Sequence, residues 1–229
     1  MLKVKSRFRA IIFDMDGVIV DSMPYHFLAW YEALKPYGIR VSCFDVYSKE
    51  GERWEKTLRE LLGRSGIKVS AKLLKKIFLS RKKIFQKYFK RFIFPGAEEF
   101  LVCLKNKGYL LGLVTGTPEA EIKKILPPSI KVLFDCIIAG DKVKKGKPHP
   151  EPYLRASRAL KTSVGLCAVV ENAPLGIESA KRAGMFCIAL TTSLPRQYLS
   201  RADALADRLD EITAIVDKSC ALKRKKFNL

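Results

Sequence analysis

The sequence predicts an α/β protein in which helices cover both faces of a doubly wound parallel sheet, with a helical segment inserted near the start of the chain. The chain has 229 residues, 48% of them hydrophobic, which is enough for one large domain and a smaller insert. Beyond residue 96, short apolar runs alternate with segments of helical periodicity, whereas residues 24–95 show helical periodicity and no clear strand. We therefore assign residues 1–23 and 96–229 to the α/β core and residues 24–95 to a helical insert.

The opening strand and the insert are predicted from apolar spacing. Residues 8–13 form a short apolar run that stops at Asp14, as expected of a buried parallel strand. Within the insert, helices are predicted at residues 25–34, 53–62 and 70–92. Ser70 is a suitable N-cap for the last of these helices, and Pro95-Gly96 ends the insert.

The remainder of the chain alternates strand and helix. Strands are predicted at residues 109–114, 166–170 and 186–190, and residues 132–139 are predicted to contain one more. Helices are predicted at residues 98–105, 118–126, 151–160 and 174–183. This rhythm predicts a Rossmann-like core, in which ligands bind beyond the carboxyl ends of the strands.

Composition excludes several classes of protein. No apolar run approaches the roughly 18–20 residues of a membrane helix, and the first apolar run is broken by Asp14, unlike a signal peptide. We therefore expect a cytoplasmic protein without a membrane partner. The six cysteines form no C-x-x-C pair and are expected to be reduced and mostly buried. Two histidines, His26 and His149, exclude a His-rich metal site and leave little for His-based nucleophilic catalysis.

The charge is strongly basic, with a formal net charge of +20 at pH 7. The surplus is densest in the insert, where 17 Lys and Arg stand against 6 Asp and Glu. Such a balance attracts nucleic acid, acidic lipid or a phosphorylated metabolite, although the lysines of helix 70–92 are also typical of a solvated helix face. The chain has no aromatic-interleaved basic motif, helix-turn-helix or zinc finger, which argues against nucleic acid. The sequence does not define an oligomeric state.

Polar residues follow four of the predicted strands. They are Asp14 and Asp16, Thr115 and Thr117, Lys147, and Glu171 with Asn172. Taken singly, each has an ordinary alternative as a turn residue, a helix cap or a solvated side chain. Taken together, oxygen ligands suit Mg²⁺, hydroxyls with an amine suit a phosphate, and paired carboxylates suit nucleophilic attack with proton transfer.

These residues carry a resemblance to a known family. FDMDGVIVDS (13–22), LVTGT (113–117), GKPHPEPY (146–153) and VVENAPLGIESAKRAG (169–184) resemble, in order, the four motifs of the haloacid dehalogenase-like hydrolases. The similarity spans nearly the whole chain and is to the branch that contains β-phosphoglucomutase and related small-molecule phosphatases. The insert resembles the helical cap of that branch.

The resemblance implies a role for each motif residue. Asp14 would be the nucleophile that forms an aspartyl-phosphate, and Asp16 would protonate the leaving oxygen and then deprotonate water. Thr115 and the amide of Gly116 would hold phosphoryl oxygens, and Lys147 would offset charge between the phosphate and Asp14. An acid at position 16 is typical of phosphoryl transfer and argues against dehalogenation.

The same resemblance implies a Mg²⁺ ion bound by Asp14, the Asp16 carbonyl and Asn172, with Glu171 beside it. Asn172 departs from the family pattern, which usually has Asp at this place. An amide oxygen can bind Mg²⁺ but adds no negative charge, so metal affinity is expected to fall while phosphate repulsion eases.

Two residues of the insert are expected to face the cleft. His26 lies ten residues after Asp16, where β-phosphoglucomutases have a histidine, although packing beside Trp30 is the structural alternative. Arg53 follows Lys49-Glu50-Gly51, in the stretch where this branch places a substrate-contacting loop.

The sequence thus predicts a Mg²⁺-dependent phosphatase, a phosphoric monoester hydrolase that acts on small phosphorylated metabolites. Two alternatives remain open at this stage. One is a phosphomutase of the β-phosphoglucomutase type, which would share all four motifs. The other is a basic nucleic-acid-binding protein with a vestigial site.

Overall fold

The computed structural model describes residues 6–218, so Cys220 lies outside the described residues. The strands are β1 Ala10–Phe13, β2 Leu110–Val114, β3 Cys136–Ile138, β4 Cys167–Glu171, β5 Phe186–Leu190 and β6 Ala204–Ala206. The helices before β2 are α1 Met23–Leu34, α2 Cys43–Tyr47, α3 Trp54–Arg64, α4 Ala71–Tyr88 and α5 Ala97–Asn106. The helices after β2 are α6 Glu119–Ile125, α7 Pro128–Lys131, α8 Glu151–Ala159, α9 Pro174–Arg182 and α10 Glu211–Lys218.

The six strands form one parallel sheet in the order β3-β2-β1-β4-β5-β6. The chain winds outward from β1 through β2 to β3, then returns to the other side of β1 and continues through β4 to β6. The strand order therefore reverses between β1 and β4, and a crevice opens at the carboxyl ends of strands at such a reversal. The predicted doubly wound α/β fold is confirmed.

Helices cover both faces of the sheet because side chains alternate along each strand. In β1, Ile11 and Phe13 pack in the apolar cluster shared with α5, α6 and α10, whereas Ala10 and Ile12 pack in the cluster shared with α8 and α9. All four are fully buried. A near-continuous apolar strand is what a sheet covered on both faces requires.

Helices α1 to α4 lie in the insert, where they enclose an apolar cluster of their own that includes Trp30, Leu58 and Ile77. Ser70 caps α4 as predicted, since its Oγ accepts a hydrogen bond from the backbone N–H of Leu73 at 3.2 Å. Phe85 of α4 packs instead in the sheet-face cluster that also contains residues of α5, α6 and α10. The division of the chain at residues 24 and 95 stays a prediction.

Several predicted boundaries differ from the structure. The helix predicted over 70–92 ends at Tyr88, because Phe89 has extended backbone angles. Residues 132–139 do contain a strand, which is Cys136–Ile138, and the short helix α7 precedes it. Pro127-Pro128 separates α6 from α7, and Pro128 begins α7 because proline is favourable in the first turn of a helix. Helices α2 and α10 and strand β6 were not predicted.

The cysteines agree only in part with the prediction. The five cysteines among residues 6–218 are all free thiols, and Cys167 and Cys187 are buried. Cys43 and Cys103 are exposed and Cys136 is half-buried, so the described cysteines are not mostly buried as expected; Cys103 lies on the solvent side of α5. Among the described helices, none has both the length and the apolar character needed to cross a membrane.

Candidate active site

The predicted motif residues converge where the strand order reverses. Asp14 directly follows β1, and its backbone N–H donates to the carbonyl of Val170 in the neighbouring β4 at 2.9 Å. Thr115 directly follows β2 on the other side of β1. Six side chains are buried here, each less than 5% exposed: Asp14, Asp16, Thr115, Lys147, Glu171 and Asn172.

Lys147 bridges two carboxylates at the centre of the site. Its Nζ lies 2.5 Å from Oδ1 of Asp14 and 2.6 Å from Oε1 of Glu171. The hydroxyl of Tyr153 on α8 donates to the same Oε1 of Glu171 at 2.6 Å. Because an ammonium group has three N–H donors, Lys147 retains one for an incoming anion.

Burial and neighbouring charges have opposite effects on the pKa values of Asp14 and Lys147. Burial raises the pKa of Asp14 well above its usual value, Lys147 acts against this, and the charge of Glu171 adds to it. Burial alone would lower the pKa of Lys147, but the two carboxylates more than offset it and the pKa is raised. Lys147 therefore stays positively charged. Any further positive charge would stabilise the ionised carboxylates that surround it.

Asp16 is surrounded by hydrogen-bond donors. Its Oδ1 accepts from Oγ of Ser22 at 2.6 Å and lies 3.2 Å from Nε2 of His26. The hydroxyls of Thr115 and Thr117 each donate to its Oδ2 at 3.3 Å. Burial would raise the pKa of Asp16, yet the pKa is lowered, because hydrogen bonds from His26, Ser22 and Thr117 favour the carboxylate.

His26 links Asp16 to the insert. A guanidinium nitrogen of Arg81 lies 2.5 Å from Nδ1 of His26, so this ring nitrogen accepts and Nε2–H donates to Asp16. The imidazole stacks on Phe85 with ring centroids 4.6 Å apart. The guanidinium of Arg81 also lies over the rings of Trp30 and Phe85. His26 therefore lies beside Asp16, and its contacts with Arg81 and Phe85 hold it there.

The insert is closed down onto the motif residues. Gly51 has φ of +78°, and a Cβ there would lie 2.4 Å from Cδ of Lys147, so a larger residue would displace the central cation. Arg53, beside it, donates from one guanidinium nitrogen to the carbonyls of Val143 and Lys144 in the core. Arg53 borders the cleft, but its guanidinium is engaged by the core backbone.

A cleft of about 500 Å³ lies between the insert and the carboxyl ends of the strands. Its core side includes Thr115, Gly116 and Lys147, and its insert side includes His26 and Arg53. All five are residues that the sequence motifs singled out. Lys82, which was expected on the solvated face of its helix, borders the cleft and pairs with Glu121 of the core.

Two buried oxygen atoms of the site have no hydrogen-bond partner among the described residues: Oδ2 of Asp14 and Oδ1 of Asn172. The other amide atom, Nδ2 of Asn172, donates to Oγ of Ser193 at 2.8 Å, which turns the amide oxygen away from that partner. Buried oxygens left without donors are suited to a hard cation. In the described part of the chain no three His, Cys, Asp or Glu side chains are grouped as a metal site, so these donors would have to suffice with a backbone carbonyl.

Sequence reasoning missed three residues that border this site: Arg81, Glu50 and Tyr153. For Arg81 a signal exists, because it stands four residues from both Ile77 and Phe85 and so lies on the apolar stripe of α4. A charged residue on a buried stripe requires a partner. Glu50 and Tyr153 give no comparable signal, since their neighbours here come from distant parts of the chain.

Comparison with known proteins is consistent with the geometry. A sequence profile described as haloacid dehalogenase-like hydrolase matches residues 11–190. The chain belongs to this family.

Individual relatives within this family are named as phosphatases or phosphomutases of sugars. A phosphorylated carbohydrates phosphatase of Thermotoga maritima is 33% identical over 184 residues, which cover 77% of this chain and 82% of that protein. A β-phosphoglucomutase of Bacillus subtilis is 29% identical over 211 residues, which cover 90% and 92%. The solved structure of a β-phosphoglucomutase from Clostridium difficile has a TM-score of 0.80 at 25% identity and covers 94% of this chain and 99% of that one.

These findings confirm the predicted family and the predicted enzyme class, a phosphoric monoester hydrolase with phosphomutase as the close alternative. The roles assigned to individual residues stay predictions, as does the cytoplasmic location.

Proposed function

We propose that the chain is a Mg²⁺-dependent phosphatase that hydrolyses small phosphorylated metabolites through an aspartyl-phosphate on Asp14. The arrangement of Asp14 carries the proposal. One carboxylate oxygen is held by Lys147 at 2.5 Å, the other is buried without a hydrogen-bond partner, and a second carboxylate lies two residues along the chain. A nucleophile and a proton-transfer group are thereby supplied by one turn at the end of β1.

In the first step the Asp14 carboxylate attacks phosphorus and the ester bond to the leaving oxygen breaks. For this step Asp16 must carry a proton, against the hydrogen bonds that favour its ionised form. It transfers that proton to the leaving oxygen, so an alcohol departs and Asp16 becomes a carboxylate. Lys147 donates its remaining N–H to a phosphoryl oxygen, and Thr115 and the Gly116 amide hold the others.

In the second step Asp16 accepts a proton from water, and the water oxygen attacks the phosphorus of the aspartyl-phosphate. The phosphorus–carboxylate bond breaks, inorganic phosphate leaves, and Asp14 is regenerated. The hydrogen bonds from Ser22 and His26 support this step, because they favour the ionised form of Asp16 that accepts the proton. Closure of the insert would keep bulk water from the intermediate.

Asp14, the Asp16 carbonyl and Asn172 would hold the Mg²⁺ ion. When bound, the ion supplies positive charge that reduces repulsion between the Asp14 carboxylate and the phosphate.

The test is release of inorganic phosphate from a panel of phosphorylated metabolites, measured with Mg²⁺ and with excess chelator. We expect turnover with Mg²⁺, loss of turnover in chelator and recovery when Mg²⁺ is restored. Asp14→Asn keeps the shape but removes the attacking charge, so its rate should fall roughly 1,000-fold or more. Asp16→Asn should impair both steps, whereas Asp210→Asn, an exposed control, should retain the rate. A near-normal rate for Asp14→Asn would exclude the covalent mechanism.

The similarity to β-phosphoglucomutases favours a second candidate, a phosphomutase that returns the phosphoryl group to a sugar. The two are separated by supplying β-glucose 1-phosphate. A mutase forms glucose 6-phosphate, whereas a phosphatase releases free phosphate and glucose.

A further inference from the structure

The walls of the cleft carry balanced charge although the chain as a whole is strongly basic. Its cationic lining residues are Lys49, Arg53, Arg81, Lys82 and Lys147. Its acidic lining residues are Glu50, Glu52, Glu55, Glu121 and Asp141. Five acids therefore offset five cations, so the cleft offers no general surplus of positive charge to a substrate that carries a second anionic group.

The lining cations of the insert also have partners already. Nζ of Lys49 lies 2.6 Å from Oε2 of Glu60, and Lys82 pairs with Glu121 of the core. Arg53 donates to core carbonyls, and Arg81 donates to His26. A second phosphate or a carboxylate on the substrate would have to displace one of these contacts.

Two charged lining residues, Glu55 and Glu50, make no side-chain hydrogen bond or ion pair within residues 6–218, and Glu50 is the one next to the glycine that packs against Lys147. It lies in the loop between α2 and α3, next to Gly51, which presses on Lys147. Within residues 6–218, no hydrogen bond or ion pair involves its carboxylate. It borders the same cleft as His26 and Lys147. Burial raises the pKa of Glu50, and the charges of Lys147 and Arg81 act against this rise. An acceptor without a donor thus borders the cleft beside the residues proposed to do the chemistry.

The remaining lining of the insert is aromatic and uncharged. Trp54 stacks on Phe78 with ring centroids 4.0 Å apart, and both border the cleft. Aromatic walls with the free carboxylate of Glu50 suit a group with apolar C–H faces and hydroxyls, which can donate to that carboxylate. They do not suit a second anion, which the free carboxylate repels.

We propose that Glu50 is a specificity-determining residue that accepts a hydrogen bond from a hydroxyl of the leaving group, so that the enzyme selects monophosphate esters of uncharged polyols and rejects esters with a second negative charge. This inference rests on the proposed phosphatase function and adds the class of substrate. It also favours hydrolysis over mutase chemistry, because transfer to a second hydroxyl of a sugar phosphate passes through a bisphosphate.

The test uses two esters that differ at one end only. Sorbitol 6-phosphate carries a terminal CH₂OH where 6-phosphogluconate carries a carboxylate. We expect the full-length protein with Mg²⁺ to have kcat/KM at least about tenfold higher for sorbitol 6-phosphate. Glu50→Gln removes the negative charge but keeps the shape, and it should shift the ratio of the two kcat/KM values at least about fivefold toward 6-phosphogluconate. Glu32→Gln, which removes a partly exposed acid of α1 that does not border the cleft, should leave the ratio unchanged.

A binding measurement separates failure of this inference from failure of the proposed function. In an Asp14→Asn background, titration calorimetry gives the dissociation constants of both esters, with and without Glu50→Gln. The same preference and the same shift in binding support the inference even where hydrolysis is absent. A protein that prefers 6-phosphogluconate, or a ratio that Glu50→Gln leaves as it was, overturns it. Hydrolysis of p-nitrophenyl phosphate with neither polyol ester bound overturns it too, while the phosphatase function stands.

Discussion

Replacing Asn172 by Asp is the sharpest probe of the cation site. The variant adds a buried carboxylate to a cluster that already holds Asp14, Asp16 and Glu171 against one ammonium, that of Lys147. With Mg²⁺ absent, the added charge has no counterion, so we expect the free energy of unfolding to fall by about 2–4 kcal/mol. The hydrogen bond to Ser193 can be retained, because the hydroxyl can donate where it now accepts.

With Mg²⁺ present the same charge is favourable. Two unit charges about 4 Å apart interact by about 4 kcal/mol at an effective dielectric constant of 20, and a divalent ion doubles this. Desolvation of the new carboxylate and its repulsion from Asp14 offset much of the gain. The free energy of Mg²⁺ binding to Asn172→Asp should therefore be more favourable by about 1.5–3 kcal/mol, which corresponds to roughly ten- to hundredfold tighter binding.

Two readouts check this reasoning. The Mg²⁺ concentration for half-maximal rate should fall in Asn172→Asp and rise in Asn172→Ala, which removes the unpartnered oxygen without adding charge. Urea unfolding should show Asn172→Asp less stable than the native protein in chelator, with the deficit removed by Mg²⁺. Equal half-saturation in all three proteins would refute the assignment of Asn172 as a ligand.

Three further variants test the contacts around the site. Ser22→Ala removes the shortest hydrogen bond to Asp16, so the pKa of Asp16 rises and the acid limb of the kcat profile moves to higher pH. Arg53→Ala removes the link to the core carbonyls, so kcat/KM should fall several-fold for large substrates and for a small aryl phosphate alike, as measured by phosphate release. Tyr153→Phe removes a hydrogen bond to buried Glu171 and should lower the free energy of unfolding in urea by about 1.5–3 kcal/mol.

Each of these variants has a matched control. Ser48→Ala, an exposed serine of the insert, should leave the pH profile unchanged, and Arg59→Ala, an exposed arginine of α3, should leave kcat/KM unchanged. Tyr109→Phe removes a longer, partly exposed hydrogen bond to Asp217 and should cost less stability than Tyr153→Phe. An unmoved acid limb in Ser22→Ala, or a loss confined to large substrates in Arg53→Ala, would contradict the corresponding contact.

The convergence of the motifs could be predicted from sequence because it depends on local patterns. Buried parallel strands are short apolar runs, and their carboxyl ends share one edge of the sheet, so Asp14, Thr115 and Glu171 had to lie near one another once β1, β2 and β4 were recognised. Lys147 was less constrained, because it follows β3 by several residues of loop. Its place in the family motif, and not its position relative to a strand, identified it.

The insert side of the site could not be predicted in the same way. Arg53 was placed near the cleft by its motif, but whether its guanidinium meets substrate or core carbonyls depends on how far the insert closes, which no local pattern encodes. Glu50 and Tyr153 acquire their surroundings through the same tertiary packing. Of these residues, only Arg81 could have been recognised from the sequence, because it places a charge on the apolar stripe of α4.

The net charge shows why composition was a poor guide to the substrate. The exposed lysines of α4, such as Lys72, Lys75 and Lys83, lie on the outer face of the insert. Charges separated from the site by more than about 8 Å of electrolyte are largely screened, so they act on the encounter with an anion more than on the choice between bound anions. Inside the cleft, acids and cations are equal in number, and among the described residues Glu50 and Glu55 are the acids there that lack a partner. The role proposed for Glu50 would therefore set selectivity through a local carboxylate whose charge is opposite to that of the whole chain.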